Sequence, residues 1–155
     1  MSKIFKYSDI SADKITFGVP KTLDNGGKFI GVYHEGKPLI IQTPNMISRF
    51  GLTKFEGTEK YTIDAQFQNT ESNPALESFL QTLKDIDEKF VEEGVKNSST
   101  WLNKGGNSPR VVIEALYTSV VKYSKNRETG EITNAYPPSM RIQLPFRNGK
   151  FTCDV

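Results

Sequence analysis

The sequence predicts an α+β fold that is mainly β, with strands in antiparallel hairpins around one long helix. Three observations support it. Residues 60–68 (KYTIDAQFQ) alternate strictly, the period of a strand with one buried face. Asn-Gly and Glu-Gly pairs interrupt β-branched and aromatic runs, a sign of tight hairpins. Residues 73–94 repeat apolar side chains at three- and four-residue intervals, which is helical spacing. About six to eight short strands in mixed order favour α+β or a partly open antiparallel barrel over a parallel α/β sheet.

Taken in order, ITFGV (15–19) is a short strand ending at Pro20, and 22–28 is a turn built on Asn-Gly-Gly. Residues 29–43 form a hairpin around His34-Glu35-Gly36-Lys37, with Pro38 at an edge or strand-entry position because it has no amide to donate. In 60–68, Tyr61, Ile63, Ala65 and Phe67 face the core, and Lys60, Thr62, Asp64 and Gln66 face water. Asn73 caps the long amphipathic helix (about 73–94) and Pro74 occupies its first position. Leu76, Phe79, Leu80, Leu83, Ile86 and Phe90 make its buried stripe, and Gly94 ends it. This helix covers an open face or end of the sheet, its acidic side turned away from any polyanion.

Residues 96–109 read as a polar loop. Within it Trp101 is either a stacking ring beside Lys104 or a plug at the helix–sheet junction, the plug being preferred. Ser108-Pro109 starts a short second helix (about 109–116), and 117–125 is a strand. Strands at 132–146 and 149–155 are joined at Arg147-Asn148-Gly149-Lys150. The strand pattern runs to the end, which leaves open a native chain extending past Val155.

A length of 155 residues fits a single domain spanning 1–155. No run approaches the roughly 18 apolar residues of a membrane helix, so no membrane partner is expected. The first residues lack the apolar core of a signal peptide, and Cys153 is alone. Both predict an intracellular protein. The net charge of +2 conceals a division: residues 71–95 hold seven acids against two lysines, or −5, which leaves +7 elsewhere. Such asymmetry points toward a polyanion partner, although an acidic helix face is also what a solvated helix presents.

Catalysis is disfavoured by elimination. His34, the sole histidine, lies in a predicted turn, where a solvated role is the expectation. One Cys and one His cannot build the usual zinc cluster. The chain has no phosphate-binding glycine loop after a strand, no GxSxG and no HExxH. Asp85 and Glu88 read as an exposed acidic face, with a carboxylate-only metal site left open. No cofactor, metal or catalytic residue is expected.

The remaining signal is basic and aromatic residues interleaved on predicted strands and loops. Arg49, Lys54, Phe55 and Lys60 fall within 49–60; Lys122, Tyr123, Lys125 and Arg127 fall within 122–127; Arg141 lies in the strand before the last hairpin. Cations neutralise phosphates and release counterions, while exposed rings stack on bases. This combination is also what a half-buried sheet shows, so the clustering weighs more than any single residue. The rival reading is a structural or protein-interaction β-module whose exposed strand edges recruit a partner chain.

KPLIIQTPNMISRFGL (37–52), the strand YTIDAQF, the amphipathic helix, and then LYTSVVKYSK, YPPSMRIQLPF and GKF resemble the OB-fold-type single-stranded DNA-binding proteins of nucleocytoplasmic large DNA viruses, notably the asfarvirus and chlorovirus groups. The likeness spans roughly 28–152. It implies an OB-like, partly open barrel of five Greek-key strands with additions, a helix closing one end, and a basic groove for single strands. The implied partner is single-stranded DNA, RNA not being excluded, with self-association or replication proteins as further partners. The implied setting is viral replication, recombination or repair, in host cytoplasm or nucleus. A net charge of only +2 is modest for such a protein.

Overall fold

In a computed structural model, which describes residues 3–102, 106–133 and 135–153, the fold is α+β, with mostly short strands and two α-helices among those residues. The long helix α1 (Pro74–Trp101) starts as expected: Asn73 Oδ1 accepts the Leu76 amide at 3.2 Å. It does not stop at Gly94. That glycine is buried, and a Cβ on it would meet Ile113 Cγ2 at 2.9 Å. Gly94 is therefore a close-approach residue for the second helix α2 (Arg110–Leu116), not a terminator. The expected polar loop from 96 is corrected with it. Ser98 is fully buried, and its hydroxyl accepts the Ser108 amide at 2.7 Å, so one polar residue of this stretch is satisfied inside the helix. Pro109 caps α2 and does not begin it.

The chain divides into two compact units. The first comprises Met1–Pro44 and Ser78–Ser119, the second Asn45–Glu77 and Val120–Val155. In the first lie β1 (Phe5–Lys6), β2 (Ile15–Phe17), β3 (Lys21–Thr22), β4 (Lys28–Phe29), β5 (Val32–His34), β6 (Lys37–Pro38) and β7 (Ile41–Gln42). Strands β2, β5 and β6 form an antiparallel sheet in that order, and β3 pairs with β4. The expected hairpin over 29–43 is shorter than predicted. Glu35 and Gly36, both at positive φ, turn β5 into β6, but the second arm ends at Pro38. Ile41–Gln42 instead pairs in parallel with Phe5–Lys6, a contact between distant segments that no local pattern announces.

His34 is a second correction. It ends strand β5, is fully buried, accepts the Ser11 amide through Nε2 at 3.2 Å, and sets its ring edge-on to Phe5 at 4.6 Å. It is a core residue, not a solvated turn. On the helix side, Phe79, Leu80, Leu83, Ile86 and Val91 are buried. Phe17 meets Phe90 at 5.3 Å and Trp101 at 5.4 Å, and Phe90 stacks on Tyr117 at 5.8 Å. Trp101 thus packs back onto a strand, as the plug reading expects; Lys104 lies outside the described residues. The Tyr117 hydroxyl donates to Asp87 at 2.6 Å, and burial with that carboxylate pushes the phenol far above its ordinary range.

In the second unit, β8 (Leu52–Lys54), β9 (Tyr61–Gln66) and β10 (Ser139–Leu144) form an antiparallel sheet with β9 central. Strands β11 (Phe146–Arg147) and β12 (Lys150–Phe151) form the hairpin predicted from Asn148-Gly149, both at positive φ. The expected strand at 117–125 is reduced to isolated bridges at Lys122 and Lys125. Side-chain bonds from Ser124 to the Thr133 carbonyl and from the Glu128 amide to Asn126 replace a continuous ladder. The sheets are antiparallel apart from the β1–β7 pair, and none closes on itself. Among the described residues, no helix is long and apolar enough to cross a membrane.

Candidate nucleic-acid interface

Pairing partners in a ladder project to the same face, so register alone locates the side chains of the second unit's sheet. Phe55 and Lys60 face each other at the end of the β8–β9 hairpin, where the Phe55 amide donates to the Lys60 carbonyl at 3.0 Å. Next along the same face come Thr53, Thr62 and Gln143, then Asp64 opposite Arg141. A last row runs Ile47, Gln66, Ser139 and Lys122, four segments wide through bridges at both edges. This polar face therefore gathers four of the residues singled out from sequence: Phe55, Lys60, Lys122 and Arg141.

The face is not uniformly wet, which corrects the simple alternation. Thr62 and Gln66 are buried. Arg141 spans part of this face. Its guanidinium donates to Asp64 through Nε at 2.8 Å and Nη2 at 3.2 Å, and its central carbon lies 5.7 Å from the Phe55 ring centroid. The side chain thus reaches from β10 over β9 toward Phe55, the residue after β8. The paired hydrogen bonds from Arg141, helped by the Lys122 charge, hold the Asp64 carboxyl below its usual range and raise the Arg141 guanidinium. Phe55 remains 43% exposed beside this guanidinium. Nη1 makes no bond among the described residues, which leaves its hydrogens for a ligand.

The other five predicted residues are placed elsewhere in this unit. Lys54 belongs to the opposite face, its Nζ 5.7 Å from the Tyr61 ring, which contacts Phe146 at 4.7 Å and Phe151 at 4.9 Å. Arg49 is exposed in the segment before β8, beside exposed Phe50. Lys125 and Arg127 are exposed around the Asn126–Gly130 turn, and Tyr123 is half-buried. The basic–aromatic pattern in the sequence takes in Tyr61 and Phe146 but not Asp64, nor Phe151, which completes their ring cluster. The ring pair was legible, since an Asn-Gly turn at 148–149 dictates that Phe146 opposes Phe151. The Asp64–Arg141 pair, 77 residues apart, was not.

Charge does not separate the units. The first holds eleven Lys and Arg against ten Asp and Glu, the second nine against eight, so each carries a net +1. On α1, Glu88 is paired with Arg110 at 2.7 Å, and Asp85 accepts the Gln81 side-chain amide. Among the described residues no three His, Cys, Asp or Glu side chains group to hold a metal ion. Compared with known proteins, the chain matches no family, no curated protein and no solved structure.

Proposed function

We propose that the second unit binds single-stranded nucleic acid, single-stranded DNA in the first instance, without sequence preference and without catalysing a reaction. The observation behind this reading is the half-exposed Phe55 ring beside an Arg141 guanidinium held by Asp64, on one sheet face with Lys60 and Lys122. A base stacks on the ring and guanidinium, and two phosphates meet the lysines. Stacking is indifferent to base identity because every base has a π-face. With the family resemblance, the sheet takes an OB-type role and the protein serves replication, recombination or repair of a large DNA virus.

The arrangement also sets a salt dependence for this binding. Arg141 is already neutralised by Asp64, so Lys60 and Lys122 are the cations this face offers a phosphate. Two neutralised phosphates on a single strand give a log–log slope of about 1.4, shallower than a broad cationic channel would give. Titrating a fluorescent oligo-thymidine at several salt concentrations tests the proposal. Binding with that shallow slope is expected. No binding even at low salt ends it.

A further inference from the structure

We infer that the outer edge of β2, in the first unit, is a docking site for an extended segment of a partner protein, which adds to the sheet as a fourth strand. Strand β2 is the edge of the β2–β5–β6 sheet. Its phase is set by the bonds from the Glu35 amide to the Lys14 carbonyl and from the Gly18 amide to the Gly31 carbonyl, so residues 14, 16 and 18 bond inward to β5. In an antiparallel ladder the intervening residues point their backbone groups the other way. The Ile15 amide is taken by the Ala12 carbonyl. The Ile15 carbonyl and the Phe17 amide and carbonyl have no partner among the described residues, and exposed Val19 follows in the same phase.

This edge opens into a groove of about 440 Å³. Six consecutive residues, from Ile15 to Pro20, line it. Residues of both parities take part, Gly18 with no side chain among them, so the groove runs along the edge of the strand. The opposite wall is α1, through Lys89, Glu93, Asn97, Thr100 and Trp101. Backbone donors and acceptors spaced every second residue select an extended main chain, the chemistry of strand addition. Phe17 and Trp101, with rings 5.4 Å apart, offer apolar contact to alternate side chains of the guest. Lys89 and Glu93 neutralise each other at 3.5 Å, so no net charge is demanded of it.

The helical wall argues for a single strand over a second copy of this chain. An added strand sits about 4.8 Å from its neighbour. A second copy joined through the same edge would bring its whole sheet into space that α1 already holds.

The test uses random ten-residue peptides displayed on phage, selected on the immobilised full chain, with the best sequence then synthesised. The peptide is expected to slow hydrogen exchange at the Phe17 amide. N-methylation at alternate peptide residues should weaken binding about tenfold each, the loss of one backbone bond, while the intervening residues tolerate it. Val19→Pro, which removes an outward amide from an exposed residue, should weaken binding similarly, and Thr100→Arg should block the groove from the helix side. Oligo-thymidine binding should be unchanged in both variants, so this inference and the nucleic-acid reading fail separately. Failure to select any peptide overturns the inference. So does methyl tolerance without a two-residue period, or wild-type binding by Val19→Pro. A dimer that Val19→Pro dissolves would also overturn it, by assigning the edge to a second copy.

Discussion

Two segments interleave lysines and aromatics in the same way, and the structure uses them differently. In the first unit, Lys3, Phe5, Lys6 and Tyr7 follow one another, yet Phe5 is buried against His34 with Lys3 lying over it. In the second, Lys54, Phe55, Lys60 and Tyr61 flank a hairpin turn, Phe55 stays open, and an arginine from a distant strand lies over it. Net charge is the same in both units, so charge does not separate them. What separates them is whether a ring is taken up by the core or left beside a cation at the surface. A basic–aromatic pattern is a necessary sign of a single-strand surface, and ring exposure makes the distinction.

Substitutions in the core of the first unit should break this contrast most severely. His34→Ala removes a fully buried side chain and strands the Ser11 amide, and should cost about 2–4 kcal/mol in urea unfolding. Oligo-thymidine affinity of the folded protein should not change; a matching loss of affinity would mean the first unit takes part in binding. Gly94→Val drives a branched side chain into Ile113 and should cost about 1–3 kcal/mol, again without effect on the oligonucleotide.

In the second unit the pattern should reverse. Phe55→Ala should leave stability nearly unaltered but weaken oligo-thymidine binding by about 1–3 kcal/mol in anisotropy titrations, the worth of one stacked base. Combined Lys122→Ala and Lys125→Ala should weaken binding alike for all sequences. Its salt slope should fall by about 0.7, since only Lys122 shares the face with Arg141, whereas a fall near 1.4 would draw the Lys125 turn into the site.

The smallest effect concerns pH. Because Arg141 depresses the folded-state Asp64 carboxyl, the pair's stabilisation is complete above the ordinary aspartate value of 3.8 and is lost as pH falls toward the lower folded value. The stability difference between wild type and Asp64→Asn should therefore shrink below about pH 4. A difference that persists into stronger acid would show that packing, not the charge pair, holds Arg141 in place.

Features set by a few adjacent residues were readable in advance. Asn73-Pro74 started α1, Asn148-Gly149 turned the last hairpin, and the alternation over 61–66 marked the central strand. Features set by distant partners were not. Gly94 resembles a stop until Ile113, nineteen residues on, shows what its missing side chain admits. His34 sits beside a turn, but Phe5 and Ser11 bury it. The candidate face illustrates the same limit: Phe55 opposite Lys60 follows from a short hairpin, whereas Arg141 reaches it through a pairing that no local pattern reveals.

The chain passes from one unit to the other after Pro44, Glu77 and Ser119, so neither unit is a continuous stretch of sequence. Deletion mapping would therefore mislead: any cut that isolates the β8–β9 hairpin from 120–155 discards β10, and Arg141 with it. Responsibility for binding has to be assigned by single substitutions in the intact chain, since a fragment that fails to bind reports a dismantled fold and says nothing about where a ligand would sit.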